Sequence, residues 1–104
     1  MDGGFLNERN YSKGFRKKLQ VGEKVNIIDV REIDEVAIGK IPGAKHIPLG
    51  ELSNHINELD KNEHYYMVCK KGIRSGSAGE QLEQMGYNAT NVVDGMVGWK
   101  GDVE

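Results

Sequence analysis

Three short apolar runs divide the chain. They are rich in β-branched and aromatic residues and comprise "VNIIDV" (25–30), "YYMVC" (65–69) and "NVVD" (91–94). Runs with apolar residues at consecutive positions are typical of strands that are covered on both faces, as in a parallel sheet. The pattern also predicts a minor strand at "AKHI" (44–47).

Apolar residues at helical spacing lie between these runs and near the N-terminus. The three groups are Leu52, Ile56 and Leu59; Ala78, Leu82 and Met85; and Phe15 with Leu19. Each group has the spacing of one face of a helix, and Gly86 is a stop signal for the second. Strands that alternate with helices predict βαβ units, and therefore an α/β domain with a mainly parallel sheet.

The length and charge of the chain restrict the class of protein. Its 104 residues fit one domain, which we place at residues 11–104, with residues 1–10 expected to be a disordered leader. A net charge of -2 gives no indication of a nucleic-acid partner. No apolar run is long enough to cross a bilayer and the N-terminus lacks a signal-peptide core, so we expect a cytoplasmic protein without membrane association.

Cys69 is the only cysteine of the chain and ends the second apolar run. A single thiol cannot form an internal disulfide, which fits a reducing compartment. The following helix is predicted to begin near Arg74 or Ser75, so the thiol lies in a strand-to-helix loop. Loops at the carboxyl ends of parallel strands are where α/β sheets bind ligands. His55 and His64 do not have the spacing to Cys69 of a metal site, and we predict no metal.

The composition of this loop favours an ionised thiol. Lys70, Lys71 and Arg74 carry positive charge, and Gly72 permits a tight turn. A helix N-terminus and consecutive backbone N–H groups add a nest for an anion. These features favour the thiolate, which is the nucleophilic form of cysteine. The alternative is that Cys69 is an inert core residue, the commonest fate of a lone cysteine.

Four segments resemble, in the correct order, those of the rhodanese family of sulfurtransferases. They are "IIDVRE" (27–32), "GKIPGAKHIPL" (39–49), "VCKKGIRS" (68–75) and "VVDGMVGWKG" (92–101). The chain is similar to a single-domain rhodanese over about residues 11 to 101. The resemblance implies one α/β domain with a central, mainly parallel sheet of about five strands and helices on both faces.

The resemblance also implies a mechanism without metal or organic cofactor. Cys69 would take a sulfur atom from thiosulfate or from a protein persulfide, and pass it to cyanide or to a thiol acceptor. The active-site loop that would hold the persulfide and the donor consists of Lys70, Lys71, Gly72, Ile73, Arg74 and Ser75. Many relatives have arginine directly after the cysteine. Lysine lacks the planar guanidinium, so Lys70 leaves the donor preference open.

Two other functions remain open. Phosphatases and arsenate reductases of the same fold have a C-x5-R loop, whereas Cys69 and Arg74 form C-x4-R, a loop sized for a single sulfur. A non-catalytic rhodanese-like binding module is the second alternative, and the retained cysteine argues against it. Asp29 and Arg31 end the first strand, where ion pairing or loop capping is favoured over catalysis. His46 is interpreted as structural.

Overall fold

A parallel sheet of four strands forms the centre of the computed structural model, which describes residues 11–104. The strands are β1 (Asn26–Asp29), β2 (Lys45–His46), β3 (His64–Val68) and β4 (Asn88–Asn91). Their order across the sheet is β2-β1-β3-β4, and all three pairings are parallel. The described residues thus contribute four strands, one fewer than the five or so expected. The predicted leader, residues 1–10, lies outside them.

Residues 11–104 contain five helical segments, of which three connect successive strands. They are α1 (Ser12–Gln20), α2 (Ile33–Ile38), a 3₁₀ helix (Leu49–Glu58), α3 (Ile73–Gln84) and α4 (Gly95–Gly98). α1 forms despite Gly14, and the helix expected around Leu52 is of the 3₁₀ type. Neither α2 nor α4 was expected from the sequence. Within residues 11–104, no helix combines the length and the apolar character that a membrane crossing requires.

The sheet is covered on both faces, as expected for a parallel sheet. On one face, Ile28 and Met67 pack with Leu52 of the 3₁₀ helix and Leu82 of α3. The cluster on the other face consists of Ile27, Ile41, Ala44, Val68 and Val92, with Leu19 of α1, Met96 of α4 and Trp99 packed against it. Each fully buried apolar side chain contributes about 1.5–3 kcal/mol. This two-faced core makes β3 a rigid platform for the loop that follows it.

The strand register brings two predicted segments to one edge of the sheet. Asp29, the last residue of β1, pairs in register with Val68, the last residue of β3. Because parallel strands end at the same edge, the Asp29–Arg31 segment and Cys69 both lie at the carboxyl edge of the sheet.

Candidate active site

The sulfur of Cys69 lies at the focus of three hydrogen-bond donors. The backbone N–H of Gly72 lies 3.1 Å from Sγ, that of Ser75 3.3 Å, and the Ser75 hydroxyl 3.2 Å. The residue is only 1% exposed and contacts the apolar cluster of its face of the sheet. The side chain is therefore buried, but it points to polar donors and not only to apolar neighbours.

These donors determine the ionisation of the thiol. Burial raises the pKa of Cys69, because the charged form loses its hydration. Hydrogen bonds from the Ser75 hydroxyl and from the backbone N–H groups of Ser75, Lys71 and Gly72 lower it. The hydrogen bonds outweigh burial, so the pKa of Cys69 lies below its ordinary value. A larger fraction of the sulfur is then in the thiolate form at neutral pH.

Asn91, the last residue of β4, competes with Cys69 for the proton of Ser75. The Ser75 hydroxyl lies 2.5 Å from Asn91 Oδ1 as well as 3.2 Å from Sγ. A hydroxyl has one proton, so Ser75 donates to the amide oxygen or to the sulfur, but not to both. Asn91 also donates from Nδ2 to the Gly72 carbonyl at 2.9 Å, which fixes its orientation. The Ser75 hydroxyl therefore stabilises a thiolate at Cys69 only when its proton points to the sulfur and not to Asn91.

The loop is held in shape by the segment that follows β4. Met96 and Val97 of α4 donate their backbone N–H groups to the carbonyls of Cys69 and Lys70, at 2.9 and 3.1 Å. These carbonyls are thereby turned toward α4. Gly72 has a φ of +88°, and a Cβ atom there would overlap the Val93 carbonyl. Glycine is required at this position, because both the backbone conformation and the close approach exclude a side chain.

Arg74 is engaged by a carboxylate of α2. Its Nη1 and Nη2 lie 2.6 and 2.9 Å from the two oxygens of Glu35, which is a bidentate pair. The hydrogen bond from Arg74, with a further bond from the Glu32 backbone, lowers the pKa of Glu35 to about 2. The pair raises the pKa of Arg74 above its ordinary value. α2 is thus tied directly to the loop.

Asp29 and Arg31 form a buried ion pair at the same edge of the sheet. Arg31 Nη2 lies 2.8 Å from Asp29 Oδ2 and also donates to the Gly39 carbonyl at 2.8 Å. His46 donates from Nε2 to the Arg31 carbonyl at 2.7 Å. These contacts link β1, α2 and β2, and all three side chains are engaged in structural hydrogen bonds.

A small hollow gives access to the sulfur. Its volume is about 120 Å³, and it is lined by Cys69, Lys70, Lys71, Ile73 and Arg74. Four of the six predicted loop residues therefore line this opening, while Gly72 and Ser75 donate hydrogen bonds to the sulfur. No cluster of three potential metal ligands occurs among the side chains of the described part of the chain.

Sequence reasoning missed Glu35, Asn91 and the N–H groups of α4. The only signal for Glu35 was its position shortly after the first strand. Acidic residues favour the first turn of a helix, so it could have indicated a helix start there. Asn91 carried no signal, because it comes to Ser75 only through the pairing of β3 with β4.

Comparisons of the sequence with family models and with known proteins all indicate the same family. A family model described as a rhodanese-like domain matches residues 11–102. The chain is 42% identical to the putative sulfur carrier protein YrkF of Bacillus subtilis, covering 88% of this chain but only 50% of that protein. It is 37% identical to the putative sulfurtransferase YtwF of the same organism, covering 86% of each.

Solved structures give the same result. A rhodanese-like domain protein from Staphylococcus aureus superposes with a TM-score of 0.85 at 42% identity, covering 90% of this chain and 93% of that one. The human single-domain sulfurtransferase TSTD1 superposes with a TM-score of 0.71 at 27% identity, covering 85% of this chain and 92% of that one.

Proposed function

Because the chain belongs to the rhodanese-like domain family, we propose that it is a sulfurtransferase that carries a sulfane sulfur on Cys69. The observation that supports this most strongly is the convergence of the Gly72 and Ser75 donors on Sγ. An inert core cysteine needs no such donors, whereas a nucleophilic thiolate does.

The proposed reaction consists of two displacements at sulfur. In the first, the Cys69 thiolate attacks the outer sulfur of thiosulfate or of a persulfide. The donor S–S bond breaks, sulfite or a thiolate leaves with the electron pair, and Cys69 becomes a persulfide. In the second, cyanide or an acceptor thiolate attacks the outer sulfur, and Cys69 leaves as a thiolate. The N–H groups that stabilise the resting thiolate also stabilise it as the leaving group.

The state of the two arginines near the loop favours sulfur transfer over phosphate chemistry. Hydrolysis of a phosphate ester requires donors that grip a tetrahedral oxyanion, and a free guanidinium is the residue best suited to this. Arg74 is bound to Glu35 and Arg31 to Asp29, so both guanidinium groups already hold carboxylates. The four-residue spacing between Cys69 and Arg74 points in the same direction.

Intact-mass spectrometry tests the proposal. After treatment with thiosulfate, and separately with cysteine persulfide, we expect the protein to gain the mass of one sulfur atom. Cyanide should remove this mass and release thiocyanate. Cys69→Ser should show no gain, while its unfolding midpoint stays near that of the wild type. Absence of an adduct from every donor would refute the proposal, and turnover of an aryl phosphate without an adduct would select the phosphatase alternative.

A further inference from the structure

Three aliphatic side chains stand exposed around the opening to Cys69. Ile38 is 88% exposed, Ile73 78% and Val97 62%. Ile38 and Val97 line a second hollow of about 260 Å³, which shares Lys70 with the hollow over the sulfur. We call the rim the surface formed by Ile38, Lys70, Lys71, Ile73 and Val97. Single exposed aliphatic residues are ordinary, but a cluster around one opening indicates a binding surface.

The outward charge of the rim is positive. Lys70 and Lys71 are exposed and have no ion-pair partner within residues 11–104. Arg74, in contrast, is neutralised by Glu35. The exposed acids Glu32 and Asp34 lie at the opposite end of α2 from Ile38. A partner that complements the rim therefore presents apolar and acidic groups, and a second copy of this chain would set lysine against lysine.

The hollow over the sulfur is small, about 120 Å³. This space suits a small anion such as thiosulfate, or the reacting sulfur of a larger donor with its nearest atoms. The rest of any larger donor or acceptor therefore lies outside the hollow, on the rim. A bare oxyanion would leave the aliphatic side chains of the rim uncovered.

We propose that the rim binds a polypeptide whose reactive cysteine is flanked by apolar and acidic residues. The proposal rests on the proposed function, since it names the class of substrate for Cys69. In the loading step, the Cys69 thiolate attacks the outer sulfur of the partner's R–S–SH. The partner leaves as R–S⁻, and Cys69 becomes Cys–S–SH. Atoms and charge balance, and no oxidant or reductant is consumed.

Two synthetic peptide persulfides test the proposal. In one, the cysteine is flanked by leucine and aspartate; in the other, by serine and lysine. Cysteine persulfide is the third donor. The rate of loading is followed by intact mass. We expect the leucine–aspartate peptide to load the wild-type protein at least ~10-fold faster than the serine–lysine peptide, because apolar and charge contacts at an interface centre dominate binding.

Ile38→Asp separates the rim from the chemistry. Its side chain is exposed and lines the second hollow, not the one over Sγ, so loading from cysteine persulfide should stay within about 2-fold of wild type, as expected for an exposed site. Loading from the leucine–aspartate peptide should fall by about 10-fold. Val21→Asp is the matched control. Val21 is also aliphatic and largely exposed but lies in the turn before β1, and this variant should behave as the wild type with every donor.

Three results would overturn the proposal. The first is equal loading by the two peptides. The second is an equal loss with cysteine persulfide in Ile38→Asp, since the residue would then act on the chemistry. The third is sedimentation showing a wild-type dimer that Ile38→Asp dissociates, because a second copy would then occupy the rim. If thiosulfate, cysteine persulfide and both peptide persulfides all fail to load the wild-type protein, the sulfurtransferase assignment fails, and this proposal fails with it.

Discussion

The Ser75 hydroxyl is one of the hydrogen-bond donors that lower the pKa of Cys69, and the only one among them that is a side chain. Ser75→Ala removes this donor and leaves both backbone N–H groups in place. The pKa of Cys69 should rise, so the thiolate fraction at a fixed pH falls. A hydrogen bond to a charged group contributes ~1.5–3 kcal/mol, and competition from Asn91 reduces this, so we expect sulfur loading at neutral pH to slow by about 3–10-fold.

Titration of the thiolate by its ultraviolet absorbance measures this effect directly. In Ser75→Ala the titration should move to higher pH. Ser77→Ala, an exposed serine on the same helix, should titrate as the wild type. A curve for Ser75→Ala that coincides with that of the wild type would mean that the backbone N–H groups alone set the ionisation.

Gly72 allows a second test at the residue scale, because Gly22 is its matched control. Both have a φ near +87°, but a Cβ at Gly22 meets nothing within 4 Å, whereas one at Gly72 overlaps the Val93 carbonyl. Gly22→Ala should cost about 1–2 kcal/mol of unfolding free energy, the cost of a left-handed conformation. Gly72→Ala adds overpacking and should cost at least ~3 kcal/mol. Equal costs in denaturant unfolding would show that the loop relaxes around the new side chain.

What the sequence revealed about the site depended on the distance between partners along the chain. The loop position of Cys69 followed from one apolar run and the helix after it, both local signals. The engagement of Arg74 by Glu35 depends on two residues 39 positions apart. Lysine and arginine were therefore treated alike as free cations in the sequence analysis. In the structure, Lys70 and Lys71 are exposed, whereas Arg74 is paired.

At the scale of elements, the predictions of strands and helices failed where the local sequence pattern disagrees with the position of the segment in the fold. The last strand was predicted at 91–94 because Val92 and Val93 are apolar, but β4 spans Asn88–Asn91. Its "NATN" sequence has little strand propensity, and pairing with β3 imposes the conformation. α2 has only six residues, too few to show a helical period. Its capping box, formed by Glu32 and Glu35, compensates for the short length.

The Glu35–Arg74 pair connects α2 to the active-site loop and makes stability depend on pH. The folded pKa of Glu35, about 2, is below its unfolded value of about 4.3. A lowered pKa contributes stability that is complete above the unfolded value and is lost as pH falls toward the folded value. The side chains are 29% and 33% exposed, so solvent screening reduces the contribution to about 1–2 kcal/mol.

Glu35→Gln should therefore be less stable than the wild type by about 1–2 kcal/mol near pH 7, and the difference should shrink steadily from about pH 5 to pH 2. Urea unfolding at pH 7 and at several pH values between 5 and 2 measures the stability difference and its decrease. Glu80→Gln, which alters an exposed glutamate of α3, provides the control. A difference that does not vary with pH would show that Glu35 acts through packing and not through its charge.

At the scale of the whole molecule, the fold class was the most predictable feature. Apolar runs alternating with helical spacing predicted a parallel sheet covered on both faces, and this is confirmed, with four strands among the described residues. The contact that joins the first helix to the last one was not predictable. Ser12 at the start of α1 and Asp94 before α4 are 82 positions apart, and nothing in either sequence context indicates the other.

The contact between Ser12 and Asp94 holds α1 against the segment that supports the active-site loop. The Ser12 N–H and hydroxyl each donate to the Asp94 carboxylate at 2.8 Å, and Ser12 is buried. Asp94→Ala removes both bonds and should cost about 1–2 kcal/mol, as loss of a helix cap does. Ser12→Ala removes only the hydroxyl bond and should cost less, about 0.5–1.5 kcal/mol.

A double-mutant cycle in denaturant unfolding isolates the interaction. If the hydroxyl and the carboxylate act as a pair, the double variant should be less destabilised than the sum of the single variants, by at least ~0.5 kcal/mol. Additive costs would instead mean that each side chain contributes separately. Because Met96 and Val97 follow Asp94 and hold the carbonyls of Cys69 and Lys70, Asp94→Ala should also slow sulfur loading more than Ser12→Ala does. Unchanged loading in Asp94→Ala would show that α4 supports the loop without its tie to α1.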